Sequence, residues 1–279
     1  MNDKIYINQS LVKDLVKYQK NELCGLVFTN KWISNQFGGG TKSNNLGHYF
    51  EYLCTGAMAK GESEAPKPDY TKKGELDAQF KVAKEQSVFF KELIKKYGIE
   101  LLSAGDKVLA DDKWIGTLDI LAKWESIGDY IDLRLTDYDF TNNPEKKVII
   151  DLKYSGLLDD KWSEFGWNTD TLAKKQGTML QAKHYKFLFW KKYGFNPPFL
   201  FFVFDTKEVG KVKVINVEID EWELEQHEVF LEKAKKYFEH QLKIGFEPQP
   251  KYDICIKCKF FNWCQFKAET PSVISIKPE

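Results

Sequence analysis

The sequence predicts a mixed α/β fold, a β-sheet core flanked by helices, with a helical N-terminal addition and a cysteine-rich C-terminal tail. Three observations carry this. Helix-period and strand-period segments follow one another as helices, strands, a helix, more strands and a final helix. The run Val148, Ile149, Ile150 has the continuous apolar character of a strand buried on both faces. The composition is that of a globular chain, 43% hydrophobic and 29% charged, with only 9 Pro and 18 Gly. At 279 residues, with no internal repeat, the simplest organisation is one domain over 1–279. Its parts are a helical N-terminal part (1–106), an α/β core (107–219), and a closing helix with the cysteine tail (220–279).

Residues 10–20, SLVKDLVKYQK, space their apolar positions as a short amphipathic helix with Ser10 as its N-cap. After the glycine-rich loop FGGGTKSNN, a second helix is expected from near Ser43, carrying LGHYFEYLCTGAMAKG. GESEAPKPDY (61–70) is a loop, and a long helix is expected over about 74–97, stopped by Gly98. KVLA, WIGTLDILAKW, YIDLRLTDYDF and KKVIIDLKY are strand-like, with ADDK a tight turn between the first two. A polar, Trp-rich connection covers 154–169, and a helix about 170–193. PFLFFVFDT and KVKVINVEI form a hairpin across KEVG, and EWELEQHEVFLEKAKKYFEHQLK is the closing helix. The cysteine-bearing tail begins after GFEPQP.

Charge gives no global pointer to a partner, since 41 basic residues balance 41 acidic ones and any basic surface must be local. Aromatics make up 15%, which suits a packed core and equally a surface that stacks on bases. No apolar run approaches the roughly 18 residues of a membrane span. The start, MNDKIYINQS, lacks an apolar signal core, so a cytoplasmic location and no membrane partner are expected.

The candidate chemistry begins where the buried strand ends. Asp151 and Lys153, two apart, project from the same face. Alone, such a pair reads more readily as a structural ion pair. Asp119, however, lies in the apolar strand segment WIGTLDILAKW, where a carboxylate is costly unless paired or metal-bound. If the two strands are neighbours, Asp119 and Asp151 meet at their ends, and a divalent cation would relieve the repulsion. Gln181 and Tyr185 are four apart, on one face of the following helix, and Glu51 in GHYFE offers a third hard ligand.

Gly-x-x-x-Glu (47–51), Gly-x-x-Asp (116–119), Asp-x-Lys (151–153) and Gln-x-x-x-Tyr (181–185) come in that order. The ordered set resembles the PD-(D/E)XK nucleases, in particular the RecB-like branch with the AddB nuclease domain and the CRISPR-adaptation exonucleases. The resemblance runs from about residue 10 to 266 and implies a restriction-endonuclease-like mixed β-sheet core. It implies that Asp119 and Asp151, with the carbonyl of Leu152, bind metal and that Lys153 is the catalytic lysine. Gln181 and Tyr185 would orient the site or contact the DNA backbone. Glu51 falls where many members have a metal-binding histidine. A glutamate suits Mg²⁺ or Mn²⁺, since hard cations favour oxygen, and His48 is the alternative.

Cys255-x2-Cys258-x5-Cys264 puts three soft ligands within ten residues. By the same resemblance, an iron–sulfur cluster would take one cysteine ahead of the core. Cys24 is placed for that, although members often have Cys-Pro where this chain has Cys24-Gly25. Cys54 is the other candidate, and Zn²⁺ is the alternative to a [4Fe–4S] cluster. Lys174, Lys175, Lys183, Lys186, Lys191, Lys192, Lys251, Lys257 and Lys259 recur among aromatics, and a stripe of them beside the acidic site would hold phosphates.

The expected activity is metal-dependent hydrolysis of DNA phosphodiesters with Mg²⁺ or Mn²⁺, as an exonuclease on single-stranded ends. Recombination, repair, CRISPR adaptation or phage DNA processing would supply such a substrate. The alternatives are a site-specific or structure-specific endonuclease and a non-catalytic nucleic-acid-binding module.

Overall fold

A computed structural model describes residues 6–34, 42–58, 64–130, 143, 145–156, 158, 172–258 and 260–268, the side chains of 42, 43 and 172–178 excepted. In chain order its first elements are α1 (Gln9–Gln19), α2 (Gly25–Trp32), α3 (Lys42–Thr55) and α4 (Ala78–Lys96). Strands β1 (Ile99–Ala104), β2 (Lys107–Ala110), β3 (Trp114–Thr117), β4 (Ile120–Trp124) and β5 (Lys147–Ser155) follow. The chain continues with α5 (Leu172–Tyr193), β6 (Phe199–Asp205), β7 (Val212–Asn216), α6 (Glu221–Ile244) and the single turn α7 (Tyr252–Cys255). It divides into two compact units, Met1–Gln9 with Gly40–Val229, and Ser10–Gly39 with Phe230–Glu279.

The first unit is built on a mixed five-stranded sheet, ordered β1-β4-β5-β6-β7 and flanked by helices. β5 is central, antiparallel to β4 and parallel to β6, and α5 supplies the long crossover that a parallel pair needs. Central position explains composition. Every residue of β6, FLFFVFD, is buried, and β5 is buried from Val148 to Leu152. α3 and α4 pack on each other and against β5 and β1, enclosing a core that includes Phe50, Phe80, Phe90, Ile120, Ile150, Phe202 and Phe204.

Local chemistry sets the boundaries. Asp77 caps α4 by accepting from the Gln79 amide at 3.0 Å, which starts the helix at Ala78 rather than near 74. Gly98, at φ +62°, ends it. Asp111 and Asp112 both take positive φ, the turn geometry that a tight β2–β3 hairpin requires. α1 begins at Gln9, so Ser10 lies inside the helix rather than capping it.

A further expectation is corrected, and two elements are added. WIGTLDILAKW is two strands, because the chain leaves the small β2–β3 sheet at Leu118–Asp119 and enters the main sheet at Ile120. The bend is held by amide bonds from Gly105 to the Asp119 carbonyl (3.1 Å) and from Leu118 to the Asp106 carbonyl (3.0 Å). IELLSA forms the edge strand β1, and GLVFTNKW forms the helix α2; neither was expected. Most of YIDLRLTDYDF and of the Trp-rich connection lies outside the described residues. No helix among the described residues is long and apolar enough to cross a membrane.

The second unit contains α1, α2, α6 from Phe230 onward, and α7. Phe28 stacks on Phe246 at 4.3 Å between ring centroids, with Tyr18 edge-on to Phe246 at 5.2 Å and Phe238 closing the cluster. Buried Asp14 joins α1 to α2 by accepting from Lys31 Nζ at 2.6 Å and Trp32 Nε1 at 3.0 Å.

Candidate active site

β4 and β5 pair with Ile120 opposite Ile150, so one residue beyond, Asp119 stands opposite Asp151. The bend at Leu118–Asp119 frees the Asp119 carboxylate from a pleated run, and its Oδ2 accepts the Leu152 amide at 3.0 Å. Asp151 lies near enough to Asp119 for each carboxyl to act on the other. Its Oδ1 accepts from Gln181 Nε2 at 2.5 Å, and its Oδ2 meets the Lys153 ammonium. Gln181 also hydrogen-bonds the Tyr185 hydroxyl. The Lys153 ammonium lies 5.6 Å above the Phe201 ring, from the β6 residue that faces Asp151. Glu51, one helical turn before the core residue Cys54, feels the charges of Asp119, Lys153 and Asp151. β4, β5, α5 and α3 thus bring Glu51, Asp119, Asp151, Lys153, Gln181 and Tyr185 together. His48 is near enough for its charge to act on Asp119.

Burial and crowding dominate the electrostatics. Burial first, then repulsion from Asp119, pushes the Glu51 carboxyl up to about 8. The same two causes push Asp151 up to about 7. Asp119 is also raised, by burial, against the pull of Lys153 and the Leu152 amide. Burial acts to lower the Lys153 ammonium, but Asp151 and Asp119 outweigh it and hold the group charged. The Tyr185 hydroxyl is pushed far up by burial.

Gly116 fits this arrangement for a steric reason. A Cβ there would lie 2.6 Å from Leu188 Cδ1 and 3.0 Å from Tyr185 Cε1, so glycine lets β3 lie on the Tyr185 ring without displacing either side chain. Sequence reasoning missed Phe201, which nothing in the β6 pattern distinguishes from its neighbours. Taken one by one, the lysines of α5 read from the sequence as a solvated helix face, and the structure places three of them. Lys183 pairs with Glu223 at 2.9 Å and Lys191 with Glu228 at 2.8 Å. Lys186 is fully buried, lowered to about 7 by burial against the pull of Glu223 and Asp220. These three are turned to internal partners and do not form a phosphate stripe. The side chains of Lys174, Lys175 and Lys259 lie outside the described residues.

In the second unit Cys24, Cys255, Cys258 and Cys264 line one pocket with Leu26, Val27, Phe261 and Phe266. All four are free thiols, and Cys255 Sγ accepts the Ala268 amide at 3.5 Å, a polar contact that suits thiolate sulfur. Gly25 has a packing reason that proline could not meet. A Cβ at that position would sit 2.2 Å from the Glu247 carbonyl oxygen, so the start of α2 lies directly on the 246–247 backbone. Cys54 belongs to the core of the first unit, where burial raises its thiol far up.

In residue type both donor sets suit the groups expected of them: hard oxygens raised chiefly by burial in one, four sulfurs in an apolar pocket in the other. Among the described residues, no group of three or more His, Cys, Asp or Glu side chains is placed so that it could hold a metal ion. At the acidic site the Lys153 ammonium lies against Asp151 Oδ2.

No protein-family model and no curated protein matches the chain. It is similar to a crystal structure of a Eubacterium rectale protein named "Putative exonuclease", at 21% identity and a TM-score of 0.57, over 96% of this chain and 91% of that one. The likeness shows a shared mixed α/β fold.

Proposed function

We propose that this chain is a metal-dependent deoxyribonuclease of the RecB-like PD-(D/E)XK branch, acting as an exonuclease on single-stranded DNA ends. The observation that carries the reading is the convergence of Glu51, Asp119, Asp151 and Lys153 on β4, β5 and α3, with Gln181 and Tyr185 hydrogen-bonded behind them. The exonuclease name of the similar structure supports the same class.

Glu51, Asp119 and Asp151 would hold Mg²⁺ or Mn²⁺, with the Leu152 carbonyl as a further oxygen donor. Bound there, the ion would polarise the phosphodiester and make a coordinated water acidic enough to act as nucleophile. The protein's own contribution is charge and position. Lys153, kept protonated by its two aspartates, places positive charge where the phosphorane oxygens would develop negative charge. Gln181 fixes one oxygen of Asp151 and, through the same amide, the Tyr185 hydroxyl. The ring of Tyr185 is seated by Gly116, so the hydroxyl has little freedom to drift. The four cysteines would bind a [4Fe–4S] cluster, or Zn²⁺, as a clamp within the second unit.

The test is digestion of end-labelled linear and circular single-stranded DNA with Mg²⁺, Mn²⁺ or EDTA. Metal-dependent loss of linear strands with circles spared is expected. Cut circles would make the enzyme an endonuclease, and intact DNA under every condition would remove the nuclease assignment.

A further inference from the structure

The cysteine-bearing segment carries a surface that neither the acidic site nor the metal-binding reading uses. Trp263 is 86% exposed, more than any other large apolar side chain among the described residues. Leaving an indole in water forgoes the largest hydrophobic gain that a side chain offers. Ile256 and Phe266, on the same short segment, are also exposed. Their backbone is not loose. Turn bonds tie Cys258 to Cys255, Phe261 to Cys258 and Trp263 to Phe260, at 2.9, 2.9 and 3.0 Å, so the indole projects from a chain folded back on itself.

The charge along this segment is one-sided. Within 251–268 stand Lys251, Lys257, Lys259 and Lys267 against the single acid Asp253, on a chain that is neutral as a whole. Lys251 and Lys257 are exposed, and Lys267 lies over the Phe261 ring at 5.1 Å. A flat exposed π-face on a segment rich in lysines suits a chain of bases and phosphates. Stacking on it requires a base whose face is free, which a duplex interior does not offer.

We infer that the 251–268 segment is a binding platform for single-stranded nucleic acid, with a base stacked on Trp263 and the flanking phosphates drawn by Lys251 and Lys257. The inference deepens the proposed nuclease function and rests on it for the choice of ligand. Because the indole is exposed, replacing it removes a surface ring and leaves the packing of the segment in place.

The experiment uses the full chain, fluorescein-labelled oligothymidylate as probe, and buffer without Mg²⁺ or Mn²⁺ so that nothing is cut. Trp263→Ala is expected to weaken binding on the order of tenfold, and Trp263→Phe to restore most of it. Trp263→Ala should leave the salt dependence of binding unchanged, whereas Lys257→Gln should make it shallower. Trp263→Ala binding as tightly as the parent overturns the platform, as does a parent that does not bind the probe. Loss of self-association in Trp263→Ala with probe binding intact also overturns it, making the ring a contact between copies. A parallel digestion separates the two readings. A parent that cuts while Trp263→Ala binds normally keeps the nuclease and loses the platform. A parent that binds through Trp263 but never cuts does the reverse.

Discussion

Glu51 and Asp151 titrate far from their ordinary range, and the direction has a consequence that can be measured. Their carboxyls, raised to about 8 and about 7, keep protons in the folded protein that the unfolded chain has already released. A raised folded value contributes stability that is complete below the unfolded value and is lost as pH climbs through the folded one. His184 and His227, lowered by burial to about 4 and about 3, act the other way and lose stability as pH falls below their unfolded value. A difference between variants isolates the carboxyl contribution. Glu51→Gln should raise the melting temperature at about pH 8 and change it little at about pH 5. Mn²⁺ should stabilise the parent more at the higher pH, and Glu51→Gln less than the parent. A variant with the parent's pH profile would count against the crowding of these carboxyls. Asp151 and Lys153 were legible from spacing, because two residues apart in a strand fixes a shared face, whereas Asp119 was legible from its apolar setting and Glu51 only from the ordered motif set. The Gln181 bridge, the Phe201 ring under Lys153 and the burial of Lys186 were not, since each depends on a partner more than ten residues away.

Elements were legible where a single period governs them. α4, β5, α5 and β6 follow from apolar spacing, and Gly98 and the Asp111–Asp112 turn mark their limits by backbone chemistry. α2 was hidden because it is eight residues long and begins with Gly25, a poor helix former placed there by the close approach of the 246–247 backbone. The strand break at Leu118–Asp119 was hidden because the apolar pattern runs through it, while the bend is set by the Gly105 and Leu118 amides. The β6–β7 hairpin shows how far a helix can pin a distant element. Buried Gln86 of α4 donates to the carbonyls of Asp205 (3.0 Å) and Glu208 (2.8 Å) and accepts the Gly210 amide at 3.0 Å. Gln86→Ala would leave several buried polar groups unpaired and should cost about 2 kcal/mol or more by urea unfolding. A loss within experimental error would show that the hairpin holds without that pin.

At the scale of the molecule, the order of helices and strands along the chain indicated the mixed sheet, and the similarity to a solved structure over 96% of the chain agrees with it. Contact clustering is what sequence order does not show. The second unit joins Ser10–Gly39 to Phe230–Glu279, pieces about two hundred residues apart, through the Phe28–Phe246 stack and the pocket shared by Cys24 and the three later cysteines. Such a unit depends on the contacts that close its two pieces on each other across a long stretch of chain. Cys258→Ser should therefore lower the melting temperature and the bound iron or zinc together. A variant as stable and as metal-loaded as the parent would remove the clamp.

The central claim is that the carboxyls and Lys153 form a hydrolytic centre. The measurement closest to it is the rate of Mn²⁺-dependent cleavage of end-labelled single-stranded DNA by the parent, Asp119→Asn and Lys153→Ala, with circular dichroism and DNA binding recorded for each. Both variants should stay folded, keep binding DNA and cleave slower by on the order of a hundredfold or more. Folded variants that cleave at the parent's rate would contradict the account, and Asp151 and Lys153 would then be a structural ion pair.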